Sequence, residues 1–171
     1  VIELLSVAKK LFETGRYDRN REFHRTMSPS MDILISSNLE RFLFEVTGHD
    51  AARIEAWYAS LAEEGRFEVD GATLAAMREV IVPGWVDEDR VLATIAGTYR
   101  AHGYALDTHT AVAVALADEL GSRGRHVVVD STASPFKFPS DVLRGLSGEV
   151  AADEFEAIAR LHELSGLRVH R

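Results

Sequence analysis

The chain has 171 residues and no cysteine, with 19 basic side chains against 27 acidic ones and a net charge of −8. That length suffices for one domain with a sizeable core. The negative balance, with no stretch where Lys and Arg cluster, argues against nucleic-acid binding, and the lack of cysteine removes disulfides, thiolate zinc sites and cysteine nucleophiles. No apolar run nears the roughly 20 residues of a spanning helix, and Val1-Ile2-Glu3-Leu4-Leu5 lacks the flanks of a secretory signal. The expectation is a soluble, cytoplasmic protein with no membrane partner.

In chain order, Ser37-Asn38-Leu39-Glu40 fits a capping box, and Leu39, Phe42, Leu43 and Val46 follow at helical spacing. Gly48 suits the stop. A second helix starts near Asp50, carries Ile54, Trp57, Tyr58 and Leu61, and stops at Gly65. Phe67 and Val69 alternate with charges, which suits either a short strand or a turn. A helix from about Thr73 must end near Pro83, because proline disfavours helical backbone in the residue before it. Asp87, Glu88 and Asp89 favour the next helix start electrostatically; Val91, Ile95 and Tyr99 give its stripe and Gly103 its end.

Two later segments depart from this pattern of surface helices. Ala111-Val112-Ala113-Val114-Ala115-Leu116 follows a cap at Asp107 or Thr108 and is apolar all round, as a helix buried on every side is. His126-Val127-Val128-Val129 reads as a strand covered on both faces. Such a strand requires sheet neighbours. Either the N-terminal region holds strands that its pattern hides, or the neighbours belong to polypeptide outside this chain, and the second is the expectation. The fold class expected is α/β and helix-rich, with at least one buried strand near 125–131. The helical part runs from about 12 to 121, and the strand and terminal helices from about 122 to 171.

Histidines stand at 24, 49, 102, 109, 126, 162 and 170, without a zinc-binding spacing, so no metal site is expected. Three segments carry possible chemistry. From Thr26 to Arg41, hydroxyl and amide groups beside a helix start suit either anion binding or helix capping. In Leu106-Asp107-Thr108-His109-Thr110, His109 sits where a buried helix begins, as a structural histidine or a reactive one. In Val129-Asp130-Ser131-Thr132-Ala133-Ser134-Pro135, Ser131 and Thr132 end the expected strand, where α/β sheets bind ligands. A hydroxyl there can bond a heteroaromatic nitrogen, or it can simply close a turn.

Together these segments resemble threonine synthase. The most specific match is Ser28-Pro29-Ser30-Met31-Asp32-Ile33-Leu34-Ile35-Ser36-Ser37-Asn38-Leu39-Glu40-Arg41. Asp107-Thr108-His109-Thr110-Ala111-Val112 is similar to the family's Asp-Pro-His-Thr-Ala-Val, with Thr108 replacing proline. Ser131-Thr132-Ala133-Ser134-Pro135-Phe136-Lys137-Phe138 is similar to Ser-Thr-Ala-His-Pro-Ala-Lys-Phe, with Ser134 and Phe136 departing. Glu13 to Phe23 also fits, whereas Val1 to Lys10 does not.

The resemblance implies the C-terminal portion of a fold type II pyridoxal-phosphate enzyme, a carbon–oxygen lyase. That family converts O-phosphohomoserine and water into threonine and phosphate. By resemblance Thr132 bonds the pyridine nitrogen, with Ser131 the second cofactor-side candidate. The Schiff-base lysine and the phosphate-holding loop are expected in preceding polypeptide, so no catalytic residue is assigned and the chain alone is expected to be inactive. Two alternatives stand: a non-catalytic helical interaction module, and a related phospholyase acting on another substrate.

Overall fold

The computed structural model describes residues 4–20, 23, 25–121, 124 and 126–169. Of the residues named above, Val1–Glu3, Arg21, Glu22, His24, residue 125 and His170 lie outside that set. Two compact units emerge. One holds Ile2–Arg25 and Pro29–Trp85; the other holds Val86–Arg171 together with Thr26–Ser28.

The N-terminal unit comprises α1 (Leu4–Thr14), β1 (Arg16–Asp18), α2 (Leu39–Val46), α3 (Ala51–Glu64), β2 (Arg66–Glu68) and α4 (Gly71–Val80). The segment around Phe67 is a strand: β2 pairs antiparallel with β1, Tyr17 opposite Phe67, and their rings stack at 5.2 Å. Its partner β1 has only three residues, too few to show an alternating pattern in the sequence. Leu11, Phe12, Leu39, Leu43, Ile54, Leu61 and Met77 complete the core around this pair.

Helix starts here are set by aspartates: Asp50 accepts from the Arg53 N–H and Asp70 from the Thr73 N–H. Each such cap is worth about 1 kcal/mol. Gly65 ends α3 at φ 77°, and an added Cβ would lie 2.4 Å from the Asn20 amide, so both conformation and space demand glycine. The expected capping box at α2 is not made. Asn38 precedes the helix in right-handed helical backbone without a side-chain cap bond, whereas an N-cap oxygen reaches the next turn from non-helical backbone. The apolar stripe positions α2 without it.

The C-terminal unit comprises α5 (Glu88–His102), α6 (Thr108–Leu120), α7 (Pro139–Ser147) and α8 (Glu154–Ser165). Here α5 packs on α6 and α7, and α7 packs on α8. Val91, Ile95, Val112, Val142, Leu143 and Leu161 are buried. Gly145 lets α7 approach α5, for a Cβ there would lie 2.9 Å from Ile95 Cγ2. Arg90 joins α5 to α6 by donating to the Ala115 carbonyl at 3.0 Å and to Glu119 at 2.6 Å.

Two expectations about this unit are corrected. Helix α6 is buried over Thr108–Val112 and at Ala115, but Ala113, Val114 and Leu116 of the apolar run are only half-buried. Its apolar sequence thus exceeds what this unit covers. The buried strand near 125–131 is not formed among the described residues. Residues 126–131 adopt no strand, and Val127 and Val128 are 51% and 84% exposed. A valine run is buried as a strand only where neighbours flank it, and none does so here.

Candidate functional site

The three chemistry-bearing segments fare differently. In the first, Thr26–Ser28 belongs to the C-terminal unit and the rest to the N-terminal unit. The Met27 N–H donates to Glu88 Oε1 at 3.1 Å, and the Arg144 guanidinium reaches Met27 Sδ at 3.0 Å. Farther along, the Tyr17 hydroxyl donates to the Leu34 carbonyl at 3.2 Å and accepts from the Ser36 N–H at 2.8 Å. Those bonds fix the 34–36 turn from within the fold, which favours a structural part for it.

The second and third segments are brought together. Asp107 caps α6 and is 1% exposed. Its Oδ1 accepts from the His109 N–H at 2.9 Å and the Thr110 N–H at 3.2 Å. Its Oδ2 accepts from the Thr110 hydroxyl. His109 Nδ1 lies 3.3 Å from Asp107 Oδ1. Burial is the largest single influence on the Asp107 carboxyl and pushes its pKa up. Bonds from the side chains and amides of His109 and Thr110 together outweigh it and hold the carboxyl below its ordinary value. The group is a buried anion, neutralised by donors.

From this anion the cluster extends to the loop. Thr110 Oγ1 lies 3.3 Å from Ser131 Oγ, and the His109 ring meets Phe138 at 5.3 Å between centroids. His109 Nδ1 also lies 3.4 Å from Thr108 Oγ1. Among the described residues Nε2 is buried without a hydrogen-bond partner. Ser131 and Thr132 are exposed, the loop then turning through Pro135–Lys137, where Ser134 caps the short 3-10 helix by accepting from the Phe136 N–H. Asp107 and Thr110 escape a reading by residue type, since an Asp before a helix looks like any other cap. The added signal is a Thr three residues on, able to take the second carboxylate oxygen.

No protein-family model matches the chain. It is 36% identical over 141 residues to human threonine synthase-like 1, covering 82% of this chain and 19% of that protein. It is 32% identical over 147 residues to threonine synthase from Pseudomonas aeruginosa, covering 85% of this chain and 31% of that one. The chain belongs to the threonine synthase family. The crystal structure of PLP-bound threonine synthase from Brucella melitensis superposes with a TM-score of 0.78 at 36% identity, over 95% of this chain and 34% of that one. The helix-rich fold is therefore the one found in threonine synthase structures. The chain spans between about a fifth and a third of the length of these relatives.

Proposed function

We propose that this chain is the C-terminal portion of a threonine synthase that converts O-phosphohomoserine and water into threonine and inorganic phosphate. Its contribution is the cofactor-side wall made by the start of α6 and the Ser131–Thr132 loop. The observation that carries this reading is the meeting of two family-like motifs, Asp107–Val112 and Ser131–Phe138, through the Thr110–Ser131 contact.

The residues present fit pyridoxal phosphate. When bound, that cofactor supplies an electron-withdrawing ring that stabilises negative charge on the substrate carbon. Thr132 offers an exposed hydroxyl that can bond a ring nitrogen without forcing protonation upon it, as a facing carboxylate would. The carboxylate nearby, Asp107, is saturated by donors from His109 and Thr110 and buried. It organises the wall while hydroxyls face outward.

The lysine and phosphate loop that the chemistry needs are supplied by other parts of the parent enzyme, and the chain alone does not turn over. The exposed Val127 and Val128 suit a strand completed by that same polypeptide. The parent enzyme acts in the cytoplasm. The test is phosphate release from O-phosphohomoserine by the longest natural form of the protein with pyridoxal phosphate added. Release with threonine supports the reading, and no release from a form containing the lysine overturns it. Thr132→Ala in that form is expected to shift the cofactor's absorption spectrum; an unchanged spectrum removes Thr132 from the ring.

A further inference from the structure

Among the described residues the Ser131 side chain meets a single polar group, Thr110 Oγ1 at 3.3 Å. A hydroxyl has one hydrogen to give and two lone pairs to receive. Asp107 accepts from the His109 and Thr110 amides and from the Thr110 hydroxyl, with His109 Nδ1 3.3 Å away. A bond to a charged acceptor is roughly twice as strong as one between neutral groups. The Thr110 hydrogen is thereby committed to Asp107, and Thr110 meets Ser131 with a lone pair. Ser131 and Thr110 can then bond only with Ser131 donating.

We propose that Asp107, acting through Thr110, fixes the Ser131 hydroxyl in one direction, hydrogen inward and lone pairs outward, so that Ser131 serves the site as an acceptor only. A ligand group resting on Ser131 must then present an N–H or O–H donor. Thr132, which meets no polar partner among the described residues, keeps both roles. This divides the labour between two adjacent hydroxyls: Ser131 selects a donor, and Thr132 adapts to an unprotonated ring nitrogen. Asp107 and Thr110 are positioning residues in this scheme. The cluster exceeds a helix cap, which requires only bonds from Asp107 to backbone N–H groups. Thr110 adds a second carboxylate contact and His109 an imidazole whose Nε2 stays buried and unpartnered among the described residues. The inference deepens the cofactor-facing reading of the loop and rests on it for the identity of the ligand.

Neutron diffraction from deuterium-exchanged crystals of the longest natural form, with pyridoxal phosphate, places these hydrogens directly. The expected map shows deuterium on Thr110 pointing to Asp107 Oδ2, and on Ser131 pointing to Thr110. Deuterium on Asp107, or on Thr110 pointing to Ser131, overturns the proposal. A second measurement reads function without turnover, by titrating pyridoxal phosphate binding spectroscopically. Thr110→Val is expected to weaken binding about fivefold, as for one lost hydrogen bond, but by less than about twofold when Ser131→Ala is already present. Thr110→Ser is expected to restore binding. Equal losses in both backgrounds would make Thr110 merely structural and sink the relay. If Thr132→Ala leaves the cofactor spectrum unchanged, the cofactor reading fails while the hydrogen positions still decide the relay.

Discussion

In the N-terminal unit the buried side chains are nearly all apolar, Ser36 and Thr73 excepted. The C-terminal unit buries Asp107, Thr108, His109 and Thr110 in succession and leaves Val127, Val128 and Val150 in solvent. Burying an ionised carboxylate is costly unless donors surround it, and exposing three valines forfeits burial energy. Exposed apolar side chains do not separate the units, for Val80, Val82 and Trp85 of the first are 69%, 66% and 53% exposed; the run of buried polar groups does. The second buries a run of polar groups at the start of α6, where one of the family-like motifs lies. Polar satisfaction there replaces apolar packing.

The comparison breaks if the two kinds of core respond alike to mutation. Both tryptophans, Trp57 and Trp85, fall in the N-terminal unit, so their fluorescence reports it, while amide exchange in α6 reports the other. Leu43→Ala, at a fully buried site, is expected to cost about 4 kcal/mol through lost transfer energy and a cavity, seen as an earlier fluorescence transition in urea. Asp107→Ala strips a cap and orphans several donors, costing about 3 kcal/mol and speeding exchange at His109 and Thr110. A loss under about 1 kcal/mol would show the polar cluster to be incidental.

The pH dependence sharpens the same contrast. Asp107 has its folded pKa below the ordinary 3.8, so its stabilisation is complete above the unfolded value and is lost as pH falls through the lowered folded one. Asp141 runs the other way. Burial raises its pKa, partly opposed by Arg144 and aided by Glu88, so its contribution favours folding at low pH and is lost as pH rises through the raised value. Asp107→Asn is therefore expected to flatten the acid-side loss of α6 protection, and an unchanged acid limb would contradict the buried anion.

Smaller effects follow. Gly145→Ala brings a Cβ to 2.9 Å from Ile95 and is expected to cost about 2 kcal/mol by overpacking, lowering the melting temperature. Val128→Ser, at a residue 84% exposed, is expected to change the stability of this chain by no more than about 0.5 kcal/mol. A loss near 2 kcal/mol would mean that the valine run is covered after all.

Helix starts and stops were legible residue by residue because they depend on neighbours in sequence. Asp50 and Asp87 cap where their spacing predicts, Gly65 and Gly103 adopt the left-handed end, and the stripe Leu39–Leu43 finds the core. The motifs naming the family were equally local. The box at Ser37 failed because it depends on the backbone angle at which the chain enters α2. The valine run failed because strand burial depends on partners that sequence pattern cannot supply. Only tertiary structure brought Thr110 against Ser131 and paired Tyr17 with Phe67, since both are contacts between residues far apart in the chain. Sequence thus determined the helices, the core-facing stripes and the family, all encoded over a few residues. Tertiary structure decided which buried polar group meets which exposed hydroxyl, because folding alone assembles contacts between distant segments.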